Sequence, residues 1–104
     1  MLTFSTLAEV KSEVRQIIQW YNRQRSGLGL AFHEALSQCY HDIRTNPRRF
    51  PKHPFYKGML NIRRAVFTQT FPYTVTYRIT DTEITVIAVS HMSQEEAYWL
   101  GRIK

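Results

Sequence analysis

The sequence predicts an α+β domain: a helical hairpin on one face of a small, mainly antiparallel sheet, in the order βααβββ plus a C-terminal tail. Two observations carry this expectation. Apolar residues recur at helical spacing through the first 45 positions, and beyond position 60 the period becomes two. The length of 104 residues adds a bound. It suits one domain, residues 1–104, whose core buries roughly two-thirds of the unfolded surface and needs no staples.

Leu2–Phe4 reads as a short strand, and Ser5 reads as the N-cap of the helix that follows. Leu7, Val10, Val14, Ile17, Ile18 and Tyr21 form one apolar stripe over a helix of about 20 residues. Glu9 and Glu13 fall early in it and Arg23 and Arg25 late, which suits the helix dipole. Ser26-Gly27 stops that helix. Leu28, Phe32, Ala35, Leu36, Cys39 and Ile43 make a second stripe, which Asn46-Pro47 ends because the residue before proline avoids the helical region. Two one-faced helices joined by a short turn need a common support, here a sheet.

Pro47 to Gly58 is a loop rich in proline and cations. Leu60–Phe67 then alternates as a strand. A turn near Gln69–Pro72 leads to Tyr73, Val75, Tyr77 and Ile79 on one strand face and Thr74, Thr76, Arg78 and Thr80 on the other. Glu83–Met92 is apolar on both faces for most of its length, as expected of a central strand. Gln94–Lys104 reads as a short helix or irregular tail. Tyr73, Tyr77 and Phe71 read as core, and Trp20 and Tyr21 as hairpin packing.

The composition, 43% hydrophobic and 21% charged, excludes disordered and collagen-like classes. No apolar run reaches the ~18–20 residues of a membrane span, and the N-terminus lacks a signal-peptide layout. The single Cys39 excludes a disulfide framework and CxxC metal sites. A cytoplasmic protein without membrane partners is expected. The net charge of +6 is concentrated: residues 46–78 carry Arg48, Arg49, Lys52, Lys57, Arg63, Arg64 and Arg78, and no Asp or Glu. Such a block attracts polyanions or an acidic protein segment, or serves only as a solvated face.

Other chemistries lack their residues. Gly27-Leu28-Gly29 has no phosphate-loop Lys and Ser/Thr, and no GxSxG or HExxH occurs. His33 and His41 are eight apart, not the four that would place both on one metal; no metal and no cofactor are expected. What remains is a cluster of strand arginines with His91, for which the strand ends of a meander place Arg63 nearer than Arg78. Arg63 and Arg64 occupy opposite sheet faces, and the pattern leaves open which face is free of the helices. Arginines beside a histidine suit metal-free RNA cleavage, the guanidinium stabilising charge on phosphorus and the imidazole moving the proton. Solvated arginines and a strand-ending histidine are the bland alternative. Phe50, Phe55 and Tyr56, interleaved with cations, suit base stacking or plugging of the loop onto the core.

Phe4-Ser5 with Ala8-Glu9, Trp20-Tyr21, Gly27-Leu28-Gly29 with Phe32 and Glu34, Asn46-Pro47 with Phe50-Pro51, Ile62-Arg63-Arg64, Phe71-Pro72-Tyr73 with Tyr77, Ala88-Val89 with His91, and Tyr98-Trp99 follow in order. This ordered set, from about residue 4 to 99, resembles the RelE/ParE superfamily of bacterial type II toxins, on its ParE-like, plasmid-stabilisation side. The resemblance implies a growth-arresting toxin held inactive by a cognate antitoxin, which wraps an extended or helical segment around it. It implies DNA gyrase as target if ParE-like, or mRNA cleavage on the ribosome if RelE-like. In the RelE-like case Arg63, Arg78 and His91 match catalytic positions. Arg48, Arg49, Lys52, Lys57, Arg64, Tyr98 and Trp99 are the expected target- or antitoxin-binding residues. Departures from the family pattern are Gln94 and Glu96, where an Arg and a Pro are common, Met92 in place of an aromatic, and a loop without a Glu base. They argue against a complete ribonuclease site.

Overall fold

The computed structural model describes residues 2–67, 71–94 and 98–103. Its elements run β1 (Thr3–Thr6), α1 (Ala8–Gln24), α2 (Leu28–Thr45), β2 (Ile62–Phe67), β3 (Tyr73–Ile79) and β4 (Glu83–His91), then a 3-10 turn at Leu100–Ile103. The four strands form one sheet in the order β1-β4-β3-β2. β1 pairs parallel with β4, and the other two pairings are antiparallel. The expected α+β order is therefore present, and β4 lies inside the sheet. The expected turn at Gln69–Pro72 falls partly outside the described residues.

Ser5 does not cap α1. It lies in β1 opposite Thr85, and α1 starts after Leu7, which makes no side-chain cap. The Leu7 N–H donates to the Val86 carbonyl at 3.2 Å, so pairing with β4 holds the chain that a serine hydroxyl would otherwise turn. Glycine is required at two points of the hairpin. Gly27, at φ +92°, occupies the left-handed region. Gly29 lets the helices close: its N–H donates to Asn22 Oδ1 at 2.9 Å, and a Cβ there would stand 2.6 Å from the Ile18 carbonyl oxygen.

The hairpin covers one sheet face. Val10, Phe32, Leu36, Cys39 and Ile43 meet Ala65, Tyr73, Val75, Tyr77, Ile84, Val86 and Val89 in the main core. Phe32 is its centre, with ring centroids 4.9 Å from Tyr73, 5.3 Å from Phe71 and 5.6 Å from Tyr21. Trp20, by contrast, is half exposed. A bulge shifts the β3–β4 register: Thr76 faces Ala88 while Tyr77 faces Val86. Ile87 is the extra residue, so Ile87 and Ala88 both turn to the opposite face and join Ile62 and Trp99 in a second, smaller core. This is why β4 reads as apolar on both sides.

The tail is fastened at several points. Arg102 makes a two-pronged ion pair with Glu13, at 3.0 and 2.6 Å, and donates to the Ile87 carbonyl at 3.0 Å. The Tyr98 hydroxyl shares a 2.9 Å hydrogen bond with Ser90, and burial raises its phenol above the ordinary value. Among the described residues, no helix is long and apolar enough to cross a membrane.

Candidate functional site

The face away from the hairpin is the one free of helices, and it carries Arg64, not Arg63. Ile62, Arg64 and Val66 of β2 point there, opposite Arg78, Thr76 and Thr74 of β3. Trp99, 2% exposed, plugs the middle of this open face. Its ring lies 5.0 Å from that of His53 and 6.4 Å from that of Tyr56. The plug leaves a cleft on either side. The upper one is lined by Arg64, Thr74, Thr76, Ser90 and His91, with His53 and Trp99 as its wall. The lower one is lined by Arg78, Glu83, Thr85 and Arg102.

Arg63, Arg78 and His91 are not brought together. His91 lies opposite Tyr73, whereas Arg63 lies opposite Tyr77 and Arg78 opposite Ile62. At a rise of about 3.3 Å per residue, Arg63 is roughly 13 Å and Arg78 roughly 16 Å along the strands from His91. A proton shuttle and the guanidinium that stabilises phosphorus must reach one phosphodiester, so these offsets separate them. The expectation that His91 neighbours Arg63 is thus overturned. The long β3–β4 hairpin returns His91 to the level of Tyr73, at the far end of β2 from Arg63.

Arg63 and His91 also have local tasks. The Arg63 guanidinium donates to the carbonyls of Phe50 at 2.7 Å and Arg48 at 3.1 Å, and to Asn61 Oδ1 at 3.0 Å. With Tyr77, whose hydroxyl donates to the Pro47 carbonyl at 2.6 Å, it clamps the basic loop onto the sheet. The Lys52–Arg63 bridge extends the edge of β2 into that loop. His91 Nδ1 accepts from the Ser93 N–H at 3.0 Å and contacts the Ser93 hydroxyl at 2.7 Å, so the ring closes the turn after β4. Gln94, where the resembled family often has Arg, accepts from the His91 N–H at 2.7 Å and fastens the same turn. Glu96 lies outside the described residues.

The expected binding residues divide. Arg48, Arg49, Lys52 and Lys57 are exposed on the loop, with Arg49 stacked 4.7 Å from the Phe50 ring. Phe50 packs against the main core, leaving Phe55, 59% exposed, as the solvent-facing ring. Arg64 lines the upper cleft and Tyr98 is half-buried beside Ser90. Trp99 is a core residue and offers no surface to a partner, because its indole fills the hollow between Ile62, Ile87 and Ala88.

Two features escaped the sequence reading. The Glu13–Arg102 pair spans 89 positions and leaves no local signal. The hydroxyl floor of the upper cleft was visible as the polar face of β3, but the bulge that places Ser90 beside Thr74 was not. A second surface lies between the helices. Val10, Val14, Ile18, Leu36 and Tyr40 floor a groove of about 330 Å³ edged by Lys11, Arg15 and His33. Among the described residues, no group of three or more His, Cys, Asp or Glu side chains could hold a metal ion.

Residues 5–96 match the family model described as ParE toxin of type II toxin-antitoxin system, parDE. Comparison with curated sequences gives no significant match. Among solved structures, the chain is similar to one from a chromosomal ParDE TA system from P. aeruginosa, with a TM-score of 0.75 and 12% identity. That alignment covers 89% of this chain and 98% of the other.

Proposed function

Because the chain belongs to the ParE toxin family of type II toxin-antitoxin systems, we propose that it arrests bacterial growth by binding DNA gyrase and is neutralised by a cognate antitoxin. The observation that carries the non-enzymatic reading is the offset of His91 from Arg63 and Arg78, roughly 13 and 16 Å along the strands. Two of the three are further committed to backbone: Arg63 to the loop carbonyls and His91 to the Ser93 turn. Such groups hold a surface in shape for a partner. They do not converge on a scissile bond.

The antitoxin is assigned the groove between α1 and α2. Its apolar floor suits the i, i+4 side chains of an amphipathic helix, and the Lys11 and Arg15 edge suits flanking carboxylates. The exposed basic loop then remains for the target. With both partners taken as cytoplasmic, the proposed location is the cytoplasm.

Induced expression without the neighbouring gene tests this. Filamentation and DNA-damage signalling are expected, with amino-acid incorporation continuing over the first minutes, and purified toxin should block supercoiling by gyrase. Immediate loss of incorporation, abolished by Arg78→Ala or His91→Ala, would establish the ribosome-dependent endoribonuclease instead. Normal growth would sink both.

A further inference from the structure

We propose that Phe55 and Met59 are the anchors with which the loop between α2 and β2 seats in an apolar hollow of an acidic protein surface. This rests on the reading that the loop faces the toxin's target, and it names the chemistry that the target must offer. Exposure comes first. Met59 is fully exposed and Phe55 is 59% exposed, both in this one loop. Phe50 and Tyr56 of the same loop pack inward, on the main and the smaller core. Phe55 and Met59 are thus the large apolar side chains that the loop leaves outside. Its tip is also held in shape. The His53 N–H donates to the Ile62 carbonyl at 2.9 Å, and the Phe55 N–H to His53 Nδ1 at 3.2 Å. The Tyr56 ring centroid lies 6.4 Å from that of Trp99, and the Tyr56 hydroxyl accepts from the Leu60 N–H at 3.3 Å. Gly58 lets the chain pass that ring, because a Cβ there would run into the Tyr56 hydroxyl. Side chains carried on a backbone already fixed lose little freedom on binding, so a small contact can be a firm one.

Charge sets what must surround the hollow. Arg48, Arg49, Lys52 and Lys57 are exposed on the same loop, and the sequence has no Asp or Glu between Asp42 and Asp81. Carboxylates around the hollow would complement them and speed the encounter, while the two apolar side chains hold the complex once formed. Aromatic residues, Met and Arg are the types enriched where proteins meet. Nucleic acid offers phosphates and base faces, but no hollow that a methionine side chain fills. A bilayer gains from buried area and not from shape, so the fixed turn at Tyr56 and Gly58 would add nothing there. The observations therefore favour a protein.

Phe55→Ser and Met59→Ser are prepared in the full chain, with Leu30→Ser as a control at an exposed apolar residue of α2. Three readouts are compared: growth arrest on induced expression, affinity for purified gyrase and affinity for the cognate antitoxin. Each loop variant should bind gyrase about tenfold or more weakly and lose growth arrest at matched expression. Antitoxin affinity should stay within about twofold in both, and Leu30→Ser should behave as the wild type. Antitoxin binding reports the fold, and fully exposed Met59 keeps the test valid if Phe55→Ser disturbs the loop. Loop variants that arrest growth as the wild type does would overturn the proposal. So would loss confined to Lys52→Ala/Lys57→Ala, which leaves charge alone. Capture of the wild type by phosphatidylglycerol vesicles, abolished in Met59→Ser, would make the tip a lipid anchor and overturn it too. If the wild type arrests growth without binding gyrase, the gyrase reading fails; loss of arrest in both loop variants then upholds the anchors, and retained arrest overturns them. A wild type that arrests nothing overturns both.

Discussion

Replacing Arg63 by alanine separates a structural arginine from a catalytic one. Its guanidinium bonds the carbonyls of Phe50 and Arg48, both in the loop that follows α2, and the side chain of Asn61 two residues away. The Asn61 contact is local and readily replaced by water. The two loop carbonyls are not, because they join segments 13 and 15 residues apart. A hydrogen bond to a charged group contributes about 1.5–3 kcal/mol, and partial exposure of Arg63 trims this to about 1–2 kcal/mol for each. Arg63→Ala should therefore destabilise the chain by about 2–4 kcal/mol, lowering Tm by roughly 8–16 °C in a domain of this size. Thermal and urea unfolding followed by circular dichroism measure it. Arg63→Lys should recover part of the loss, since the single nitrogen Nη1 donates to both carbonyls and an ammonium can stand in for it, while the Nε bond to Asn61 is lost. Lys52→Ala, on the exposed side of the same loop, should change stability by less than about 0.5 kcal/mol. If Arg63→Ala unfolds with the wild-type transition yet loses growth arrest, the clamp argument is wrong and Arg63 acts on the target.

Two further outcomes follow from the packing. Gly29→Ala should destabilise by about 1–3 kcal/mol, although alanine is the better helix former, because its Cβ would meet the Ile18 carbonyl and displace Asn22; a raised urea midpoint would refute the close-approach argument. Alkaline pH should weaken the fold. Burial, helped by Asp42, pushes the Cys39 thiol from 9.0 up to about 12, and burial also raises the Tyr40, Tyr73 and Tyr77 phenols above their usual range. A raised folded-state value means that stability is complete below about pH 9 and is lost as pH climbs towards 12, at about 1.4 kcal/mol per unit for each such group. Cys39 alone should account for about 2–3 kcal/mol between pH 9 and 11, so Cys39→Ala should flatten the profile. Equal pH dependence in both proteins would contradict it.

The periodicity stretches were legible because burial writes itself into local spacing. The stripe Val10, Val14, Ile17, Ile18, Tyr21 and the stripe Phe32, Leu36, Cys39, Ile43 each pack into or against the main core, as their spacing requires. The alternation of Tyr73, Val75, Tyr77 and Ile79 identified the covered face of β3 correctly. Ser5 misled because a serine before a helix and a serine in a parallel edge strand look alike until β4, 80 residues later, is present to pair with it. The site was less legible than the fold for the same reason. Arg63 and Arg64 differ by one step on a strand, and which one meets solvent depends on the face the hairpin covers.

By itself, then, the sequence determined the element order, the two apolar helix faces, the interior place of β4 and the location of the cationic excess in residues 46–78. Each of these is set by near-neighbour spacing or composition. Tertiary structure alone decided that Arg63 faces inward as a loop clamp, that Arg64 and Arg78 occupy separate clefts on the open face, and that His91 ends a strand far from Arg63. Strand register, the Ile87 bulge and the seat of Trp99 settle those points. All three depend on pairings between residues far apart in the chain, which no local pattern encodes.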